Sequence, residues 1–295
     1  MRLGFHVSIA GGLEEAVRRA VQRRCTAMQV FTAAPVQWAR HAIPQREADR
    51  FRERLAELDL TPHFVHAKYL LNVASPDAKL RQRSTRDLIR ELEAADRLGA
   101  AGVVLHLGSV RDQGSIREGV ARVAQAVERA CESVPEGPPI LLENSAGQGN
   151  TVGARLETIG EIIAAAHCAE RLRVCLDTSH AFGAGYPVHT ASGLRSTLAE
   201  AEASFGLQCL ALLHVNDSLV PLGSGRDRHW HLGRGEIGRE GMARIVNHPR
   251  LRHLPYLMET PGTKQDDLSN MRRIRRLIRP EHRPALPPLP EWARA

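Results

Sequence analysis

Nine residues of the 295-residue chain are of types that could together hold metal ions. Six of them close short apolar runs: His66 after Phe64-Val65, His106 after Val103-Val104-Leu105, Glu143 after Ile140-Leu141-Leu142, Asp177 after Val174-Cys175-Leu176, His214 after Leu212-Leu213 and Glu259 after Leu257-Met258. His180 stands three residues beyond Asp177, and the polar stretch Asp227-Arg228-His229 adds Asp227 and His229, with His231 as a further imidazole nearby. A single histidine or aspartate in such a place is more often a cap or a hydrogen-bonding residue than a ligand. Four carboxylates converging on one space are another matter: ionised groups withdrawn from water are costly or shift their pKa, and like charges repel. Divalent cations are the simplest remedy. Imidazole and carboxylate without thiolate suit zinc, manganese or iron. At three or more ligands per ion, with one carboxylate shared, these residues would hold two or three ions. Clusters spaced ~3.5–4 Å clamp both the attacking and the leaving oxygen in phosphodiester hydrolysis.

The elements that must position these residues follow from hydrophobic periodicity. Strand candidates are Leu3–Ser8, Ala27–Thr32, His63–Ala67, Val103–Gly108, Ile140–Asn144, Arg173–Thr178, Cys209–Asn216 and Tyr256–Thr260. Between them the spacing of apolar residues predicts helices over Arg46–Asp59, Lys79–Leu98, Ile116–Glu132, Leu156–Ala169 and Ala191–Phe205. Strands alternating with helices call for a parallel sheet, and eight such units in ~250 residues is the arithmetic of an α/β (β/α)8 TIM barrel, whose chemistry sits at the carboxyl ends of its strands. A doubly wound open sheet usually carries fewer strands and a glycine fingerprint after the first, whereas here the first strand runs into Ser8-Ile9-Ala10-Gly11-Gly12. The one G-x-G-x-x-G match, Gly233 to Gly238, follows a polar loop and not a strand, so it reads as a loop capped by the next helix and not as a dinucleotide site. The reading is one barrel domain, residues 1–280, and a Pro-rich tail, 281–295, extended from Pro284 to Pro290.

Composition sets the outer limits. With 43% hydrophobic and 25% charged residues the chain can bury a sizeable core, which excludes wholesale disorder. Only Lys68, Lys79 and Lys264 are lysines, so 37 of the 40 basic residues are arginines, and the formal net charge is +7. Arginine suits bidentate phosphate contacts, although a coding bias would look the same. The five cysteines form no CxxC pair and two lie in strand-like runs, so all read as structural and the compartment as reducing. No apolar run reaches the ~18 residues of a membrane span, and no signal-peptide core is visible at the start. These features read as a soluble intracellular protein.

Eight strings, in order, resemble the endonuclease IV family of zinc-dependent apurinic/apyrimidinic endonucleases. They are His6–Gly12 (HVSIAGG), His66–Ala74 (HAKYLLNVA), His106–Ser109 (HLGS), Leu142–Gly149 (LENSAGQG), Cys175–Tyr186 (CLDTSHAFGAGY), His214–Ser218 (HVNDS), Asp227–Gly238 (DRHWHLGRGEIG) and Leu257–Pro261 (LMETP). The resemblance implies three zinc ions: one on His66, His106 and Glu143, a second on Glu143, Asp177, His214 and Glu259, and a third on His180, Asp227 and His229. It implies hydrolysis of the phosphodiester 5′ to an abasic site in double-stranded DNA, giving a 3′-hydroxyl and a 5′-deoxyribose phosphate. A hydroxide bridging two zincs would be the nucleophile, Glu143 and Glu259 the catalytic carboxylates, and removal of 3′-blocking groups a companion activity. For DNA contact it points to Tyr69, Leu70, Gln37, Trp38, Asn216 and His6, the last two also suited to supporting the metal ligands. It further implies a monomer in a bacterial or archaeal cytosol, associated with the nucleoid and with no membrane partner.

One departure is plain. Many family members carry an arginine just before the Gln-Trp pair, where this chain has Val36, and Arg40 is the nearby guanidinium that could substitute. Three rival readings fit the ligand set less fully. A metal-dependent sugar isomerase or epimerase on the same barrel would need about four ligands, for which Glu143, Asp177, His214 and Glu259 suffice; it has no use for the other five. A UV-damage endonuclease fits the LENSAGQG and DRHWHLG strings less well. A damage-binding protein without catalysis would not need the full ligand set.

Overall fold

A computed structural model describes residues 1–38, 43–286 and 288–293; Arg40 lies outside the described residues. The apolar runs form β1 (Arg2–His6), β2 (Ala27–Val30), β3 (His63–His66), β4 (Val103–His106), β5 (Ile140–Glu143), β6 (Leu172–Asp177) and β7 (Leu210–His214). A short pair, β8 (Asp217–Ser218) and β9 (His229–Trp230), is followed by β10 (Pro255–Met258). All but β8 and β9 close into one parallel barrel in the order β1-β10-β7-β6-β5-β4-β3-β2, and β8 pairs antiparallel with β9 as a separate hairpin. The outer ring holds α1 (Leu13–Gln22), α2 (Gln45–Glu57), α3 (Ala78–Leu98), α4 (Ile116–Ser133) and α5 (Leu156–Ala165), then α6 (Thr178–Gly183), α7 (Ala191–Phe205), α8 (Gly238–Val246) and α9 (Lys264–Leu277). The TIM barrel expected from periodicity is the fold.

Individual strands end a residue or two earlier than the apolar runs suggest. Thr178, read as the end of the sixth strand, opens α6, because the Asp177 side chain caps that helix by accepting from the His180 amide. In the same way the eighth barrel strand stops at Met258, leaving Glu259 on the first step beyond it. The structure also adds α1, α6, α8 and α9 to the helices named from spacing. Of these α9 is thinly apolar, with only Asn270, Met271 and Ile274 fully covered among its charged residues.

Two packing layers hold the barrel. Between strands and helices lies the larger core, including Leu3, Phe5, Val65, Leu92, Leu105, Leu142 and Val174, all nearly inaccessible. Inside the barrel, Ala27, Phe64, Val104, Leu141, Cys175, Leu212 and Leu257 form a second buried cluster. Each fully buried aliphatic side chain contributes about 2 kcal/mol. Position four, where β1 would add its own inward side chain, is a glycine: a Cβ there would stand 1.7 Å from the Ala27 carbonyl oxygen. This interior layer decides where the chemistry goes. Strand side chains alternate between faces, so the residue two steps on points the same way. Two steps beyond Gly4, Ala27, Phe64, Val104, Leu141, Cys175, Leu212 and Leu257 stand His6, Gln29, His66, His106, Glu143, Asp177, His214 and Glu259. The polar layer is the next storey of the barrel core.

After α9 the chain turns back along the barrel. Ala293 is buried in the main core, and Arg54 stacks on the Trp292 ring at 5.1 Å. Among the described residues no helix is long and apolar enough to cross a membrane.

Candidate metal centre

The polar storey collapses onto Glu143, whose carboxylate is fully buried at the centre of the barrel. Its Oε2 lies 3.3 Å from His66 Nε2 and 3.0 Å from His106 Nε2. Its Oε1 lies 2.9 Å from His214 Nδ1 and 3.5 Å from His180 Nδ1. Glu259 reaches the same histidine from the other side, with Oε2 3.4 Å from His214 Nδ1. Beyond them, Asp177 Oδ2 is 3.5 Å from His229 Nε2, and Asp227 lies 3.2 Å from His180 and 3.3 Å from His229. All nine residues singled out from the sequence converge here. Three overlapping groups bring their ligand-type atoms within 4.8 Å of one another: His66 with His106 and Glu143; Glu143 with Asp177, His214 and Glu259; and Asp177 with His180 and His229.

The imidazoles are aimed by their other nitrogens. His66 Nδ1 donates to the Ala67 carbonyl (2.7 Å), His180 Nδ1 to the Asn144 carbonyl (2.9 Å), His229 Nδ1 to the Glu259 carbonyl (3.2 Å), and His214 Nε2 to Gln29 Oε1 (3.0 Å). In each neutral ring the opposite nitrogen then turns its lone pair into the cluster, the arrangement that orients metal-binding histidines. His180 Nε2 and His229 Nε2 face each other at 3.4 Å; with both rings neutral these are two acceptors, which either a shared proton or a metal cation between them would reconcile. His66 Nε2 and Glu143 Oε2 are buried without a hydrogen bond. Such atoms are costly to leave unsatisfied, and a cation would satisfy them. The donor set therefore fits divalent metal. Cys175 also approaches Glu143 and His214, but burial pushes its thiol up to about 12, so it is a poor thiolate and belongs to the barrel interior.

Electrostatics repeat this pattern. Burial alone would raise the Glu143 carboxyl, yet the imidazoles of His214 and His106 hold it well below the usual range; Glu259 follows the same logic through His214 and His6. Burial would lower His180 and His214, but the carboxylates around them raise both well above an ordinary histidine. Burial also opposes ionisation of Asp227, which His180 nevertheless draws down to about 2. Without metal the cluster stays ionised by internal proton sharing; metal would replace those protons.

The carboxylates have supports that spacing did not disclose. Gln29 donates to Glu259 Oε1 (2.8 Å), contacts His6 Nδ1 (2.9 Å) and accepts from His214. Asn144 holds Asp177 through both backbone groups, accepting from its amide (2.6 Å) and donating to its carbonyl (3.1 Å). The available signal was a lone amide inside an otherwise apolar run, Ala27-Met28-Gln29-Val30. Asn216, completely buried, donates to Asp177 Oδ2 (2.7 Å) and accepts from the Glu259 amide (2.8 Å). His6 lies 3.3 Å from Glu259. The structure thus sets Asn216 and His6 behind the carboxylates and the other four proposed contact residues around the rim. Tyr69 is 49% exposed, edge-on to His66 and stacked beside His106. Leu70 is half-buried, Gln37 is exposed, and Trp38 lies beneath Arg83 at 4.1 Å. Val36 is 67% exposed. His231 stands apart, accepting from Asn270 Nδ2 at 3.1 Å.

The Gly233–Gly238 loop also has a structural explanation. Asp217 accepts from the amides of Gly235, Ile237 and Gly238, and a Cβ at Gly235 would stand 2.2 Å from the Ser218 carbonyl oxygen. Its glycines wrap a buried aspartate and support the β8–β9 hairpin that carries His229.

Residues 17–280 match the family model described as xylose isomerase-like TIM barrel. A relative from Halothermothrix orenii named "Probable endonuclease 4" is 38% identical over 261 residues, covering 88% of this chain and 94% of the relative. The crystal structure of endonuclease IV from Thermus thermophilus superposes with a TM-score of 0.84 at 36% identity, covering 94% of this chain and 98% of that one. A D-tagatose 3-epimerase-like protein shares the barrel at a TM-score of 0.72 and 18% identity, covering 94% of this chain and 97% of its own, a likeness of fold alone.

Proposed function

The chain belongs to the endonuclease IV family, and from that premise we propose that it hydrolyses the phosphodiester 5′ to an abasic site in duplex DNA, leaving a 3′-hydroxyl and a 5′-deoxyribose phosphate. The observation that carries this reading is the convergence of five imidazoles, four of them anchored by their other nitrogen, with Glu143, Asp177 and Glu259 in overlapping groups, while Asp227 reaches His180 and His229 from the rim. Three zinc ions would be held by His66, His106 and Glu143; by Glu143, Asp177, His214 and Glu259; and by His180, Asp227 and His229. When bound, zinc supplies positive charge to the phosphate and leaving oxygen and brings the ionisation of water towards neutrality.

The chain's own groups do the positioning. Glu143 divides its two oxygens between the His66–His106 side and the His214–His180 side, so one carboxylate links two of the groups. Glu259 is fixed at Oε1 by Gln29 and at its amide by Asn216, which leaves Oε2 to orient the attacking water and take its proton. A phosphorus–oxygen bond forms to that water as the bond to the 3′-oxygen breaks, and the 3′-oxygen ends protonated. At the rim, Tyr69 and Leu70, with Gln37 and Trp38 from the neighbouring loop after β2, would occupy the space of the missing base. Extruding an abasic sugar is cheap because its stacking is already lost, so selectivity needs no base readout. The same chemistry on a terminal ester would trim 3′-blocking groups.

The sugar isomerase or epimerase reading uses Glu143, Asp177, His214 and Glu259 and leaves the other five convergent groups without a task. A duplex oligonucleotide carrying one tetrahydrofuran abasic analogue separates the two. The expected result is a single cut on the 5′ side that leaves an end able to prime a polymerase. No cut with zinc present, or an end that cannot be extended, would overturn the proposal.

A further inference from the structure

At the opposite pole of the barrel, arginines from three separate segments meet around one concavity of about 450 Å³. Arg24 comes from the turn between α1 and β2, at the amino-terminal end of its strand, whereas the metal centre lies at the carboxyl ends. Arg272, Arg275 and Arg276 come from the last turns of α9, and Arg283 from the segment beyond it, with Met271 on the apolar wall. Among the described residues no carboxylate lies within ion-pairing distance of any of the five; the nearby Asp267 is already taken by Arg23 at 2.6 Å. The carboxyl end of a helix attracts cations, which accounts for Arg275 and Arg276. It does not account for Arg24 and Arg283, delivered to the same space from other segments.

Three costs coincide there. Arg24 holds a left-handed backbone, φ 63°, which a residue with a Cβ adopts only against steric crowding. Its Nε is buried without a partner. Arg275, held to the Pro284 carbonyl at 2.6 Å, has its basicity lowered by burial and by the neighbouring charges of Arg283 and Arg24. An anion with several oxygens would relieve the last two, and guanidinium forks match phosphate oxygens bidentately.

We propose that this concavity is a second binding site, separate from the metal centre, for a phosphate-bearing anion: a phosphodiester backbone or free inorganic phosphate. The assignment does not depend on the activity proposed above. Its test compares the full-length, zinc-loaded protein with R272Q/R276Q, two exposed positions, and with R24G, which suits the left-handed backbone. Inorganic phosphate is followed by calorimetric titration and a lesion-free duplex by fluorescence anisotropy over a salt series. Phosphate or DNA bound at the metal centre persists in all three proteins, so only the difference between them reports the pole. If a phosphodiester is the ligand, R272Q/R276Q lowers the slope of log affinity against log salt by about 2, roughly 0.9 for each lost phosphate contact. If free phosphate is the ligand, its affinity falls about tenfold in both variants while duplex binding is unchanged, a loss equivalent to 1.4 kcal/mol. Unchanged binding of both probes in folded variants overturns the proposal, as does binding of an acidic peptide in preference to either. Cleavage of the tetrahydrofuran duplex is expected to survive in both variants, so failure here is distinguishable from failure of the nuclease reading.

Discussion

Glu91 offers a quantitative test of how the loops around the metal centre are anchored. The residue is 2% exposed on α3 and accepts a short hydrogen bond from Thr32, just after β2. Lys68, just after β3, lies 3.7 Å from Glu91 and 3.6 Å from Asp87, which is also paired with Arg90 at 2.5 Å. One buried cluster thus ties the loop that carries Tyr69 and the loop that carries Gln37 and Trp38 to the same helix. Burial pushes the Glu91 carboxyl up to about 7 from an ordinary 4.5; Thr32 and Lys68 pull the other way and Asp87 adds to the rise. The folded state therefore holds this proton more tightly than the unfolded chain. Its contribution to stability is fully present below pH 4.5 and is lost as pH rises through 7. At about 1.4 kcal/mol per pH unit, the loss over that window is about 3 kcal/mol. Glu91→Gln keeps an acceptor for Thr32 and removes the titration. Urea unfolding of both proteins at matched zinc, from pH 4.5 to about pH 8, isolates the effect, because metal linkage cancels in the difference. Wild-type stability relative to the variant should fall by about 3 kcal/mol across the series. A flat difference, or one that grows with pH, would refute the reasoning.

Asn216→Ala removes the amide that holds both Asp177 and the Glu259 backbone; metal analysis should fall below the expected three zincs, and turnover should drop about 10–100-fold. Tyr69→Ala should retain full metal content but weaken binding of a lesion-bearing duplex about tenfold in an anisotropy titration, since the ring is half outside and packs on His66 and His106 without ligand-type bonds. Gly4→Ala forces a Cβ against the Ala27 carbonyl between β1 and β2. Urea unfolding should register a loss of roughly 3 kcal/mol or more, because backbone cannot step aside as a flexible side chain can.

The barrel was legible because its period is redundant: eight apolar runs alternating with amphipathic stretches point to one architecture even when each boundary is off by a residue or two. The ligand-type residues were legible for a related reason. His66, His106, Glu143 and Asp177 each interrupt an apolar run at its carboxyl end, and a polar residue there is conspicuous. Gln29 broke its run just as plainly, yet its amide has no preferred chemistry, and only its bonds to Glu259 and His214 reveal the role. The small hairpin was not legible, since two-residue strands carry no periodicity. Nor was the arginine concavity: Arg24 and Arg283 are separated by most of the chain, and the arginine-rich composition hid the few that meet.

The sequence by itself determined the alternation, the two-residue step from each interior side chain to the polar storey above it, and the chemical types in that storey. Tertiary structure alone decided which of those groups share a space. Closure of the barrel brings the ends of β3, β4 and β7 and the start of α6 around the end of β5, so that one carboxylate reaches four histidines. Carbonyl oxygens from Ala67, Asn144 and Glu259 choose which ring nitrogen each imidazole presents. Those are long-range contacts, and no local pattern of residues specifies their geometry.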